Sequence, residues 1–145
     1  MKIRVINGPN LNLLGQREPE IYGKDSLEVI ENTLTALGKS LGAEIEFVQS
    51  NHEGEIIDWI QECREGFDGL IINPAAYTHS SVALHDALLC FEGLKYEVHI
   101  SNPHAREAFR QVSYVSPAVN AVIAGLGVIG YEVALKTMVT KLSGA

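Results

Sequence analysis

The sequence predicts a doubly wound α/β fold, in which a parallel sheet carries helices on both faces. Three observations lead there. Five short, largely apolar runs recur along the 145 residues, and segments with helical start and stop signals separate them. Most of the runs are continuous rather than alternating, as strands buried on both faces require. Strands that alternate with helices imply right-handed crossovers, and hence parallel neighbours.

The strand candidates are Ile3 to Asn7, Ala43 to Gln49, Gly69 to Asn73, Tyr96 to Ile100 and Asn120 to Ala124. Ala43 to Gln49 alternates and reads as an edge strand. The helix from Ser26 to Leu41 opens on Asp25-Ser26, an N-cap with Glu28 close behind, and stops at Gly42. Glu53 to Glu65 and Ser80 to Phe91 read as helices stopped by Gly66 and Gly93. A short helix is expected near Ala105 to Phe109, and a terminal one from about Val128 to Leu142. Five strands in this arrangement suggest the flavodoxin-like order 2-1-3-4-5, whose ligands bind beyond the carboxyl ends of the strands. The loops that matter are then Gly8 to Lys24, Ser50 to His52, Pro74 to His79, Ser101 to His104 and Gly125 to Gly127.

Bulk properties narrow the function. A chain of this length fits one domain over residues 1–145, able to bury roughly 70% of its unfolded surface. No Pro-, Ser- or Gln-rich tract breaks it into linkers. The net charge of −7 argues against a nucleic-acid backbone as partner, because that binding depends on clustered Lys and Arg. Cys63 and Cys90 lack CxxC spacing and read as buried thiols of a reducing compartment. The most apolar stretch, Ala118 to Tyr131, contains Asn120 and falls short of the ~20 residues that span a bilayer. It reads as core strand and helix, with no membrane partner. The N-terminal strand carries no signal-peptide h-region, so a cytoplasmic protein is expected.

Chemistry concentrates between Glu97 and Arg110. Glu97 and His99 are two apart, so on an extended strand both side chains leave one face, where a carboxylate can orient an imidazole. Arg106 and Arg110 are four apart and would project together from one helical turn. For the charges alone, a surface salt-bridge patch is the competing reading. The loop from Gly8 to Lys24 runs about seventeen residues where such connections usually need roughly 2–6, which marks either a lid or a surface excursion held by Leu11, Leu13 and Leu14. It presents Arg17 and Tyr22 together, and a nearby guanidinium favours phenolate, making Tyr22 a candidate base. The loop after the third strand, Asn73 to Ser81, enters a helix whose free amides suit an oxyanion or hydroxyl ligand. Asn73 ends its strand level with His99, and Asp86 and His85 lie one to two turns into that helix. His79, His99, His104 and Glu97 can be drawn as metal ligands, but no HExxH, HxH or paired Cys/His spacing supports a metal. Gly8-Pro9-Asn10 lacks the GxGxxG turn of a nucleotide site. A flavin- or small-anion-binding module remains the alternative to an enzyme, on fold analogy alone.

With Asn7 to Gly15, Arg17-Glu18-Pro19, Tyr22-Gly23, Asn73 to Asp86 and Glu97 to Arg110 in view, the chain resembles the type II 3-dehydroquinate dehydratases over essentially its whole length. The resemblance implies a lyase without metal or cofactor. Its small-molecule substrate would be 3-dehydroquinate, dehydrated through an enolate to 3-dehydroshikimate in the shikimate route to aromatic amino acids. It implies Tyr22 as base, ionised with help from Arg17 and Arg106, with Arg17 riding a lid over residues 8–24. Asn10 would help hold the oxygen or water that stabilises the enolate, and His99, oriented by Glu97, would protonate the leaving hydroxyl. The amides of Ile100 and Ser101 would take the substrate carboxylate. Asn73, His79 and Arg110 would hold hydroxyl groups, while Asp86 would reach in from an adjoining subunit of a dodecamer built from trimers. Ala76 and Ser81 stand where glycine and threonine are expected, and His85 stands where an arginine is more familiar beside the aspartate.

Overall fold

The structure is a computed structural model that describes all 145 residues. Its core is a sheet of β1 (Lys2–Asn7), β2 (Glu44–Gln49), β3 (Gly69–Asn73), β4 (Leu94–His99) and β5 (Ala121–Ala124), every neighbouring pair parallel, in the order β2-β1-β3-β4-β5. The expected topology is the observed one, and β2 lies at an edge, mostly half-buried, as its alternation predicts. The helices are α1 (Pro19–Tyr22), α2 (Leu27–Ser40), α3 (Glu53–Glu62), α4 (Val82–Leu89) and α5 (Ile129–Leu142).

Side-chain parity sorts the strands between two cores. Ile3, Val5, Ile71, Tyr96 and Val98 pack with Ile30 and Leu34 of α2 and Leu135 and Met138 of α5. The alternate residues Ile6, Leu70 and Ile72 pack with Ile56 and Ile60 of α3 and Leu84 and Leu88 of α4. This is the period-two geometry of a strand read on both faces. In α2 the buried positions Ile30, Leu34 and Gly38 recur every four residues on one stripe. Ser26 caps that helix by accepting from the Val29 amide at 3.3 Å, and Gly42 ends it in the left-handed region at φ +77°. Gly38 is small for a separate reason, since a Cβ there would lie 2.4 Å from Ile45 of β2.

Arg4 is buried far from the carboxyl edge of the sheet. Arg4 donates to Glu46 and Glu62, each at 2.9 Å, and to the Trp59 carbonyl at 2.7 Å, and its guanidinium lies 4.4 Å from the Phe67 ring centre. Burial would lower its pKa, but these carboxylates outweigh burial and hold it above the usual arginine value.

Three expectations need correction. The helix from Glu53 ends at Glu62, with Cys63 as its cap, rather than at Glu65. The short helix near Ala105 to Phe109 is instead two 3-10 turns, Pro103–Ala105 and Ala108–Arg110, because Arg106 between them is extended at φ −117°, ψ −161°. Asn102 caps the first turn through its side chain, which accepts from the His104 amide at 3.1 Å, and Gln111 closes the segment by donating to the Pro103 carbonyl at 2.9 Å. Cys63 is buried as expected, whereas Cys90, at the outward-facing end of α4, is exposed. No helix is long and apolar enough to cross a membrane.

Leu34 has no solvent exposure and joins α2 to the sheet. Leu34→Ala should lower unfolding stability by about 2–5 kcal/mol in urea titration; a loss under roughly 1 kcal/mol would mean that α2 is not anchored there.

Candidate active site

The carboxyl ends of β1, β3 and β4 open into one cleft. Asn10, Arg17 and Tyr22 enter from the loop after β1, and Asn73 and His79 from the end of β3 and its loop. His99, Ile100, Ser101, Arg106 and Arg110 enter from the end of β4 and the segment beyond it. Of the five loops at this edge, these three line the cleft and the other two brace it. Asn51, after β2, accepts from the Asn10 amide at 3.0 Å through its side chain and from the Tyr77 hydroxyl at 2.7 Å through its carbonyl. Gly127, after β5, donates to the Ile100 carbonyl at 3.0 Å.

Glu97 and His99 leave one face of β4, as their spacing predicts, and His99 Nε2 is hydrogen bonded to Glu97 Oε2. Glu97 has no solvent exposure. The Thr78 hydroxyl donates to the same oxygen at 2.7 Å, and the Ser116 hydroxyl donates to Oε1 at 2.6 Å. The Ser113 hydroxyl lies 2.9 Å from Ser116 Oγ and 2.8 Å from Thr78 Oγ1, and because both of those protons go to Glu97, Ser113 is the donor within the cluster. Burial raises the Glu97 pKa, but the bonds from His99, Ser116 and Thr78 to the ionised form prevail and bring it below the ordinary carboxylate value. An ionised Glu97 accepts only, so the imidazole must present an N–H to it. Nδ1 of His99 has no protein partner, and the residue lines the cleft.

Tyr22 closes the short helix α1, where Pro19 occupies the first position and fits the fixed φ of a helix start. The guanidinium groups of Arg17 and Arg106 lie 5.1 and 5.2 Å from the centre of its ring. Arg17 also pairs with Glu18 at 3.4 Å, Arg106 donates to the Ser101 hydroxyl at 3.1 Å, and Arg110 pairs with Glu107. Arg106, in the extended residue between the two 3-10 turns, and Arg110, in the second turn, thus reach one cleft, and not from a single helical turn as their spacing suggests. The backbone N–H groups of Ile100 and Ser101, beyond the end of β4, donate to no protein acceptor.

Several expectations shift. The N-terminus of α4 does not face the cleft, because the 3-10 turn Ala75–His79 intervenes and the buried Ser81 side chain accepts from the Leu84 amide at 2.9 Å. His79 lines the cleft and is held through Nδ1 at the Val112 carbonyl, at 2.8 Å. Asp86 is exposed on α4 and outside this chain's cleft. Gly8 is spoken for by packing, since a Cβ there would lie 2.5 Å from the Pro74 carbonyl oxygen and the space is filled by backbone rather than open to a phosphate. No three His, Cys, Asp or Glu side chains converge on a point suited to a metal. Asn10, Glu18 and Ala75 adopt left-handed backbone at φ 69°, 42° and 50°, all in the loops that form the cleft. The sequence reading missed Thr78, Ser113 and Ser116 as supports for Glu97, and Asn51 as the brace of the first loop. The polar pair Ser113 and Ser116, three apart in an otherwise apolar segment, is the one signal that marks them.

The direction of the Glu97 shift fixes a pH dependence. A carboxyl with its folded pKa below its unfolded one adds stability that is complete above the unfolded value of 4.5 and is lost as pH falls through the lower folded value. Wild type should therefore lose more stability on acidification below about pH 4.5 than Glu97→Gln, as read from unfolding midpoints across pH. Parallel curves would show that Glu97 is not the group responsible.

The family model described as Dehydroquinase class II matches residues 1–139. The 3-dehydroquinate dehydratase of Campylobacter hominis is 54% identical over 138 residues, covering 95% of this chain and 89% of that one. Among solved structures, the type II dehydroquinase of Butyrivibrio crossotus superposes with a TM-score of 0.93 at 51% identity, covering 95% of this chain and 97% of that chain. That of Propionibacterium acnes reaches 0.93 at 43% identity, with 96% of each chain covered. A match across nearly the whole chain in sequence, and in the fold that carries the cleft, is shared descent: the chain belongs to the class II dehydroquinase family.

Proposed function

We propose that the protein is a hydro-lyase that converts 3-dehydroquinate to 3-dehydroshikimate through an enolate, in the shikimate route to aromatic amino acids. Family membership supports the reaction. The observation that carries it at the level of residues is the pairing, in one cleft, of a carboxylate-bound imidazole with a tyrosine flanked by two guanidinium groups. The proton removed lies alpha to a ketone and the departing hydroxyl lies beta to it, so the site must supply a base, a stabiliser for the enolate and an acid.

Tyr22 is the base in this reading. Arg17 and Arg106 support it, because nearby cations stabilise a phenolate oxygen. Removal of the alpha proton leaves negative charge on the ketone oxygen, and Asn10 would hold that oxygen or a water bound to it. His99 gives its proton to the hydroxyl as the carbon–oxygen bond breaks, and water departs. Glu97 fixes the imidazole for that transfer, and the Thr78 and Ser116 hydroxyls keep Glu97 from turning away. The unpaired amides of Ile100 and Ser101 are suited to the substrate carboxylate. Asn73, His79 and Arg110 hold substrate hydroxyl groups, and residues 8–24 act as the lid that brings Arg17 over the bound molecule.

Oligomer formation belongs to the same proposal, as a dodecamer of trimers in which Asp86 reaches the cleft of a neighbour. Supporting it, His85 and His79 bind the Tyr114 and Val112 carbonyls, holding the exposed apolar side chains of Val112 and Tyr114 beside α4. Phe109, two-thirds exposed, extends that patch. His85, in place of the more familiar arginine, makes its contact through Nδ1 to a backbone carbonyl at 2.7 Å, leaving Asp86 without a fixed cation beside it on the helix. Two free cysteines support a reducing, cytoplasmic setting.

Incubation with 3-dehydroquinate in the presence of chelator, followed by the ultraviolet absorbance of the conjugated product, tests the reaction directly. Tyr22→Phe and His99→Ala should each lower kcat by roughly 10²–10⁴-fold with circular dichroism unchanged; full activity in both would reject these roles. Arg17→Ala should lower kcat with circular dichroism unchanged, and unaltered turnover would count against a role for Arg17 beside Tyr22. Light scattering should report an assembly of twelve chains, and an active monomer would contradict the shared role of Asp86.

A further inference from the structure

Behind the cleft lies a hydrogen-bonded chain that joins Asn73 to Tyr131 and Asn7, two side chains to which the proposed chemistry gives no role. Tyr131, in the first turn of α5, is fully buried. Its hydroxyl donates to Asn7 Oδ1 at 2.7 Å and accepts from Asn73 Nδ2 at 2.8 Å. Asn7 ends β1 and Asn73 ends β3, and the two are register partners in the sheet. Asn73 lines the cleft, whereas Asn7 and Tyr131 do not.

The outer ends of the chain set its polarity. Asn7 Nδ2 donates to the Val48 carbonyl at 3.1 Å, and a carbonyl can only accept, so Asn7 must turn its oxygen toward Tyr131. At the other end, Asn73 Oδ1 accepts from the Ala75 amide at 3.1 Å, and an amide can only donate, so Asn73 must turn its nitrogen toward Tyr131. A phenol hydroxyl satisfies one acceptor and one donor together, and only one orientation of its proton does so here. Separately, burial pushes the Tyr131 pKa far up despite the bond from Asn73, so the group stays a neutral O–H. Phenylalanine at this position would leave one amide oxygen and one amide N–H buried without partners.

One N–H of Asn73 is thus committed to Tyr131 and its oxygen is committed to Ala75, which leaves the second N–H as the free donor. We propose that Tyr131 is a positioning residue, which through the Asn7–Tyr131–Asn73 chain holds the Asn73 amide so that its remaining N–H is offered to a substrate hydroxyl. This rests on the reading of Asn73 as a substrate-binding residue given above. The hydroxyl concerned does not react, so the contact is the same in ground and transition states, and its loss raises KM with little change in kcat. Arrival of Tyr131 at the site depends on α5, so the last helix of the chain takes part in substrate binding without touching substrate.

The test is a double-mutant cycle on the full-length protein, with KM and kcat for 3-dehydroquinate measured well below the unfolding temperature of every variant. Tyr131→Phe should raise KM roughly three- to tenfold, as expected for loss of one neutral hydrogen bond, and leave kcat within about twofold. In an Asn73→Ala background the same substitution should leave KM where Asn73→Ala alone puts it. A purely structural tyrosine would lower the unfolding temperature and leave KM alone, and that result would overturn the proposal, as would a KM effect that persists in full without Asn73. If Tyr131→Phe does not fold, Asn7→Ala carries the same cycle, because it leaves Asn73 and Tyr131 in place while removing the acceptor that orients the hydroxyl. An unchanged KM in Asn7→Ala would then overturn the proposal. Wild type inert on 3-dehydroquinate would remove the functional reading itself, and this proposal with it, whereas an active wild type with an indifferent Tyr131 rejects this proposal alone.

Discussion

Five strands that run the same way must end on the same side, and every functional group of the cleft follows from that constraint. Parallel pairing sets Asn7 opposite Asn73, and the β3–β4 register brings His99 to the same rim. Each strand end also releases the chain into a loop there, so residues remote in sequence meet without any local structure to unite them. Tyr22 and the Glu97–His99 pair are such residues, joined only because β1 and β4 both flank β3.

The cleft is polar, yet nearly every polar atom behind it is committed. Glu97 is ionised and buried, and three donors satisfy it. Tyr131 is neutral and buried, with one donor and one acceptor. No buried side-chain nitrogen or oxygen lacks a partner. Half-satisfied networks are costly and mobile, whereas closed ones fix a single arrangement. Rigid groups therefore stand behind the cleft, and the cations beside Tyr22, Arg17 and Arg106, come from the surrounding loops. The two buried networks divide the work by charge: the one behind β4 holds an anion and its imidazole, and the one behind β1 and β3 holds amides.

The fold was legible because each strand is a short apolar run and Gly42, Gly66 and Gly93 mark helix stops, features that act within a few residues. Glu97 with His99 was legible for the same reason, since two-residue spacing on a strand is a local geometry. What could not be read lies in contacts across the chain. Thr78 and Ser116 each sit nineteen positions from Glu97, and hydroxyl residues in loops look like ordinary turn formers until the backbone aims them. Tyr131 is farther still, in a helix whose apolar character makes a tyrosine look like core. The errors share a cause as well. Arg106 and Arg110 have helical spacing but share no helix, because Pro103 and the side chains of Asn102 and Gln111 close the backbone into 3-10 turns with Arg106 extended between them. The amides expected at the start of α4 are withdrawn by an intervening turn that sequence spacing does not reveal.

The left-handed residues at the cleft have a consequence for anyone who would redesign this protein. Asn10, Glu18 and Ala75 each hold a backbone conformation that costs an L-residue roughly 1–2 kcal/mol. Glycine would relieve that cost at Ala75, where only a methyl group is lost, but would also loosen the turn that sets the Asn73 amide. Directed evolution toward thermal tolerance would find gains at these positions early, and the same substitutions would relax the geometry around the ligand. Heat resistance is better sought in the helix layers, away from the rim.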